Sequence, residues 1–138
     1  MIEQTKSRPR RSGDNGLVET KNAAIVRKHT GWGHLAPAHA APLNQFYTGF
    51  LNPYVNYHRP SAQAEVQIDP KGRKRRRYKQ WQTPLETLLS LDRPQQYLRP
   101  GRSINALKRV AASVSDTEAA RRMQQAKNTL FEQIRRPA

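Results

Sequence analysis

Apolar positions recur along this chain at helical spacing, interrupted once by a short stretch of alternation. The first residues, "IEQTKS" (Ile2–Ser7), alternate weakly, as a short strand does. Arg8–Gly16, "RPRRSGDNG", has the Pro, Gly, Asp and Asn content of a loop, and Asp14 or Asn15 is suited to cap a helix. The spacing then predicts a helix over 16–29. Val18, Asn22, Ile25 and His29 share its inner face, Leu17, Ala24 and Val26 widen the apolar stripe, and Gly31 and Gly33 stop it. A second helix is predicted over 38–52, with Leu43, Phe46, Tyr47, Phe50 and Leu51 in register. Pro42 fits its first turn, and Pro53 should end or kink it ahead of a rigid aromatic tail, "PYVNYHRPS".

Alternation over 65–68 and the turn sequence "DPKG", Asp69–Gly72, predict a β-hairpin whose second strand runs over 73–79. Helical spacing returns at 83–91, with Thr83 as cap and Pro84 at the first position. It appears again at 103–112 and in a long final helix over 115–135. "SDTE" has the form of a capping box between Ser115 and Glu118, and Ala119, Met123, Ala126, Leu130 and Ile134 form one stripe. The 92–101 loop holds at most a helical turn, and no internal repeat is present. The expected class is mainly α with a small β-hairpin.

Composition changes this picture in one respect. Only 36% of the 138 residues are hydrophobic and mean hydropathy is −0.93, so the core should be small and the chain marginally stable. Lys and Arg number 25 against 10 Asp and Glu, a formal charge of +15. Charge of that size speaks of partners, with nucleic acid first and an anionic membrane surface second. No stretch approaches the roughly 18 apolar residues of a membrane span, and the N-terminus lacks the apolar run of a secretory leader. Cysteine is absent, which excludes disulfides and thiolate metal sites and fits a reducing cytoplasm.

The charge is concentrated in "KGRKRRRYK", Lys71–Lys79, where seven of nine residues are cationic: Lys71, Arg73, Lys74, Arg75, Arg76, Arg77 and Lys79. Clustered cations repel one another unless a counter-charge neutralises them. With Tyr78 and Trp81 alongside, the run has the chemistry of a phosphate-binding finger whose aromatics stack on bases. The alternative is a merely solvated face. Arg8, Arg10 and Arg11 form a second basic cluster. His29, His34 and His39 are five residues apart, a spacing that shares no helical face, so these three and His58 are expected to pack or to meet phosphate rather than bind zinc. Glu19, in the first turn of a helix, is ordinarily explained by the helix dipole.

"SRPRRSGDNGLVETKN", Ser7–Asn22, resembles the segment around the third acidic residue of retroviral-integrase-like DDE transposases of bacterial insertion sequences. "NYHRP", Asn56–Pro60, is similar to that family's Y-N-x-x-R-P signature with the tyrosine displaced. "VRKHTGWGH", Val26–His34, is also similar to one branch of it. The resemblance covers roughly residues 1–60 and extends loosely through "RRRYKQWQTPLETLLSL". It implies that Glu19 is the third ligand of a two-Mg²⁺ site that cleaves and transfers DNA strands. It also implies that both aspartate ligands, and most of the RNase H-like sheet that carries them, are missing, so that the first helix and the Phe46–Leu51 helix lack the sheet each needs to cover. Glu3 is too close to Glu19, and Asp14 stands on the loop.

The chain is therefore expected to be the C-terminal piece of a DDE transposase. Residues 1–62 would end the catalytic core, 63–82 form a basic hairpin and 83–138 a helical tail. It would be inactive alone, with no Mg²⁺ of its own unless another chain supplies the aspartates. DNA is the expected partner, with full-length transposase subunits a second, no membrane, and a nucleoid-associated place in a bacterial cytoplasm. A free-standing basic nucleic-acid-binding protein that competes with a full-length transposase is the alternative. A third reading is an adaptor whose C-terminal helices pair with a partner.

Overall fold

The computed structural model describes residues 22–31 and 33–135. The expected strand over 2–7, the 8–16 loop, the Asp14 or Asn15 cap and the start of the first helix lie outside these residues, as do Glu19, Arg8, Arg10 and Arg11. The chain divides into two compact units, Met1–His39 and Ala40–Ala138. The protein is mainly helical, and among the described residues the one sheet is a two-stranded antiparallel hairpin.

In the first unit, helix α1 comprises Asn22–Arg27 in a widened π register followed directly by Lys28–Thr30. Gly31 ends it at φ +79°, a left-handed backbone that glycine adopts without a Cβ clash, and its N–H donates to the Arg27 carbonyl at 2.8 Å. The stop at Gly31 is the one its sequence predicts. A 3₁₀ turn, Pro37–His39, follows.

The second unit begins with α2, residues 40–58, built from Ala40–Phe46, Tyr47–Leu51 and Tyr54–His58 without a break. Pro42 sits in the first turn, where its missing N–H costs no hydrogen bond. Pro53 does not end the helix as expected. A proline inside a helix removes one i→i−4 bond and crowds the carbonyl four residues back. Here the turns on both sides, Tyr47–Leu51 and Tyr54–His58, are π-wound, and a widened turn accommodates that crowding. The helix therefore runs on to His58, and most of the expected aromatic tail is helical.

Two strands follow, β1 (Ser61–Ile68) and β2 (Lys74–Gln82). Both extend further toward their root than alternation predicts, and β2 starts one residue later because Arg73 closes the turn. Helix α3 is Pro84–Leu89, capped by a reciprocal box in which Thr83 Oγ1 accepts from the Glu86 N–H and Glu86 Oε2 accepts from the Thr83 N–H. A 3₁₀ turn, Pro94–Tyr97, leads to α4 (Ile104–Ala112), capped by Ser103, and then to α5 (Asp116–Arg135). At α5 the expected capping box is half made. Ser115 Oγ accepts from the Glu118 N–H at 3.3 Å, while the Glu118 carboxylate turns instead to Arg121 and Arg122.

The core lies where α2 meets α5. Phe46 and Leu51 are buried with Met123 and Leu130, and Leu43, Tyr47, Tyr54, Val55, Ala126 and Ile134 pack around them. The α5 stripe is the one its spacing predicts. The face of α2 was expected to need a sheet to cover it, and it is covered by α5 instead. The correction has a physical basis: both helices carry an apolar stripe in a chain with few apolar residues, and each is the other's largest available apolar surface. The unit that results joins α2, from the expected 1–62 segment, to α5, from the expected 83–138 segment. At the far end of α2, α3 packs against the 54–58 turn, with Leu85 buried there. Among the described residues no helix is long and apolar enough to cross a membrane.

Leu51 is 1% exposed, the most enclosed apolar side chain in this core. Replacing it with Ala is expected to cost about 2–4 kcal/mol through lost transfer energy and a cavity. In so small a core that loss should move the urea midpoint sharply downward, as circular dichroism at 222 nm would show.

Candidate nucleic-acid interface

The hairpin owes its sharpness to five residues. Asp69 ends β1, and its N–H donates to the Arg73 carbonyl at 3.0 Å; the Gly72 N–H donates to the Asp69 carbonyl at 2.9 Å. Gly72 takes φ +75°, which closes a turn followed by a left-handed residue, a common three-residue hairpin loop. The Asp69 carboxylate adds two acceptor bonds, from the Lys71 and Arg73 N–H groups, both at 2.9 Å. Its other oxygen lies 3.5 Å from Arg75 Nε. One carboxylate therefore holds the tip of the ribbon and one of its arginines.

Register assigns every other side chain to a face, because directly opposed residues of an antiparallel pair project the same way. Ile68 opposes Lys74, Val66 opposes Arg76 and Ala64 opposes Tyr78 on one face; Gln67 opposes Arg75 and Glu65 opposes Arg77 on the other. The register then shifts by one residue between Gln63 and Ala64, so Lys79 has no partner. Pairing resumes with Gln63 opposite Gln80 and Ala62 opposite Trp81. The Arg-rich strand is exposed along nearly its whole length, on both faces.

The seven cations picked out by sequence are thus brought together on one exposed ribbon. Among the described residues, Arg75 is the one cation of the run within 4.0 Å of a carboxylate. The others are Lys71 and Arg73 at the tip, Lys74 and Arg76 on one face, Arg77 on the other, and Lys79 at the bulge. A two-stranded ribbon of this kind fits the major groove of duplex DNA, where cations on both faces meet the flanking backbones. Residues i and i+2 of a strand stand about 7 Å apart, close to two nucleotide steps.

The root of the ribbon is fixed by contacts that sequence gave no signal for. His58, at the C-terminal end of α2, is buried, and its Nδ1 lies 2.9 Å from Asp116 Oδ1 at the start of α5. The N–H at Nδ1 donates, since a carboxylate only accepts. This bond ties the two core helices together immediately before Arg59 and Pro60, from which β1 departs. His58 packs, as one of the two expectations for the histidines had it, and its partner lies at a distance in sequence that no local pattern reports.

Arg121 and Arg122 are differently placed from the hairpin cations. Glu118 accepts from Arg121 Nε and Nη2, both at 2.8 Å, and from Arg122 Nε at 2.7 Å. The Arg121 and Arg122 hydrogen bonds hold the Glu118 carboxyl down at about 2, and Glu118 in return raises Arg121. These two arginines therefore share one counter-charge.

Among the described residues, no group of three or more His, Cys, Asp or Glu side chains is placed to hold a metal ion. The carboxylates that carry structure are engaged singly: Asp69 in the turn, Glu86 in a cap, Asp116 on His58 and Glu118 on two arginines. They do not form the converging set that a divalent ion needs. Compared with protein families, curated proteins and solved structures, the chain gives no match.

Replacing Asp69 with Ala removes two acceptor bonds at the ribbon tip. It is expected to destabilise the hairpin by about 1–2 kcal/mol, seen as faster amide exchange across 61–82 with the α2 and α5 amides unchanged. The Glu118 cluster gives a pH expectation of definite sign. Its folded-state value of about 2 lies below the ordinary 4.5, so its contribution is complete above about 4.5 and is lost as pH falls through about 2. Between those limits, thermal stability of the wild-type chain should fall more steeply than that of Glu118→Gln, whose residue 118 does not titrate.

Proposed function

We propose that this chain is a DNA-binding protein and that the β1–β2 ribbon is its phosphate-binding element. The observation that carries the reading is the concentration of seven cations on an exposed two-stranded ribbon, with a single carboxylate among the described residues paired to one of them. A surface so charged is electrostatically costly in isolation and is stabilised by a polyanion. Backbone contacts of this kind position a protein on DNA without specifying sequence.

The resemblance of Ser7–Asn22 and Asn56–Pro60 to DDE transposases favours a second, finer reading. On that reading the chain corresponds to the C-terminal part of such a transposase, with an RNase H-like core represented by its last elements, and its partners include full-length transposase subunits. Glu19 would be the third carboxylate. It lies outside the described residues, and among those described no group of carboxylates is placed to hold a metal ion, so no Mg²⁺-dependent step is assigned to this chain. The ribbon would then be the element that holds DNA beside a catalytic core supplied by another subunit.

The test of DNA binding is a salt titration on duplex DNA. With about five phosphate contacts, log K should fall against log salt with a slope of roughly −4 to −5. Replacing Arg75, Arg76 and Arg77 together with Ala should flatten the slope by about two to three units. The Arg121→Ala/Arg122→Ala pair should change it less, because both side chains are already hydrogen-bonded to Glu118. An unchanged slope in the triple variant would show the ribbon to be a solvated surface only.

A further inference from the structure

The two faces of the ribbon are chemically unlike, and phosphate binding explains only one of them. Arg75 and Arg77 stand with Gln67 and Glu65 on a wholly polar face. The opposite face carries Lys74 and Arg76 together with Ile68, Val66, Tyr78 and Trp81. Those four large apolar side chains are 68%, 58%, 56% and 68% exposed. A phosphate backbone gives such side chains nothing to bury against.

The bulge at Lys79 makes the second observation. Tyr78 and Trp81 are three residues apart, and strict alternation would send them to opposite faces. The unpaired Lys79 absorbs one residue, so the partners of Tyr78 and Trp81 are Ala64 and Ala62, two apart on one face. Bulges re-aim side chains in this way. Here the result is a row that runs Lys74, Arg76, Tyr78, Trp81 along a single face, with the two aromatics about 7 Å apart.

We propose that this face binds single-stranded nucleic acid, with Lys74 and Arg76 on backbone phosphates and Tyr78 and Trp81 stacked on unpaired bases. The inference rests on the DNA-binding reading above and adds the form of nucleic acid that the ribbon selects. In a duplex the π-faces of the bases are closed by their neighbours, and only unpaired bases offer them to a side chain. A nucleic-acid strand offers charge and flat apolar rings side by side, and this row, two cations followed by two aromatics, can meet both. A lipid surface does not: inserting Trp81 and Ile68 into it would carry Arg76 and Lys74 to the same depth. A second copy of this chain would bring like charges face to face. The proposal therefore commits to a single strand.

The probe is a 20-nucleotide oligomer of deoxythymidine, which forms no duplex. In a Trp32→Phe background Trp81 is the only tryptophan, and its emission should be quenched on binding. Tyr78→Ala/Trp81→Ala should lower affinity for the oligomer about a hundred-fold, at about ten-fold per stacked base, and leave the salt slope unchanged. Trp81→Phe should keep most of the affinity, which separates lost stacking from lost folding. Lys74→Ala/Arg76→Ala should flatten the single-strand salt slope by about 1.4, at about 0.7 per contact, whereas Arg75→Ala/Arg77→Ala should leave it in place.

The proposal is overturned if Trp81 emission is unmoved and the aromatic variant binds the oligomer like the wild type. If the duplex slope still depends on the arginines in that case, DNA binding stands and only the stacking face is lost; if no cation matters for either form, both readings fall together. It is equally overturned if Trp81 responds to anionic phosphatidylserine vesicles and not to the oligomer, or if sedimentation shows self-association that Trp81→Ala abolishes.

Discussion

Burial of one apolar stripe against another, where α2 meets α5, is the constraint on which the second unit depends. Phe46, Leu51, Met123 and Leu130 are its buried members, and among the described residues they form the one buried core cluster. The His58–Asp116 bond closes one end of the same contact. Because β1 leaves the helix immediately after this point, the direction of the ribbon is set by the helix pair and not by the ribbon itself. A two-stranded hairpin exposed on both faces has no core of its own and is marginal in isolation.

The ribbon is therefore held from its two ends. At the root, the helices fix where it starts; at the tip, Asp69 and Gly72 fix where it turns. Between them, the cross-strand ladder holds a surface whose charges repel. Such a surface tolerates its own repulsion only because the residues that would collapse are extended and solvated, and because the arginines alternate between faces rather than crowding one. Arg121 and Arg122 follow the opposite rule: adjacent on one helix, they share the Glu118 carboxylate. The same residue type thus serves packing of charge in α5 and display of charge in β2.

Local chemistry was legible in the sequence and long-range pairing was not. Thr83 and Pro84 announce α3, Gly31 ends α1, and Asp69–Gly72 announces the turn, because each signal lies within a few residues of its effect. The stripe on α5 was readable from spacing, but spacing does not say what a stripe packs against, and α2 was its partner rather than a sheet. Pro53 misleads for a related reason: its penalty is local, while the π-wound turns that absorb it are held by packing further along the helix. The bulge at Lys79 has no sequence signature at all. Two strands of unequal local length had to be aligned before the facing of Trp81 could be known. The cations of the ribbon were identified from sequence, and the structure adds their division between two faces.

The order in which the core is assembled has a consequence for the newly made chain. Synthesis proceeds from the N-terminus, so α2 leaves the ribosome first, the ribbon next, and α5 last. The turn at Asp69 is local and forms on the microsecond scale of hairpins, whereas the core waits for residues at the far end of the chain. During that interval the apolar face of α2 stands uncovered beside a hairpin that, without the core, is only marginally formed. The apolar face of α2 therefore waits for α5, and an uncovered apolar helix is open to association in the meantime.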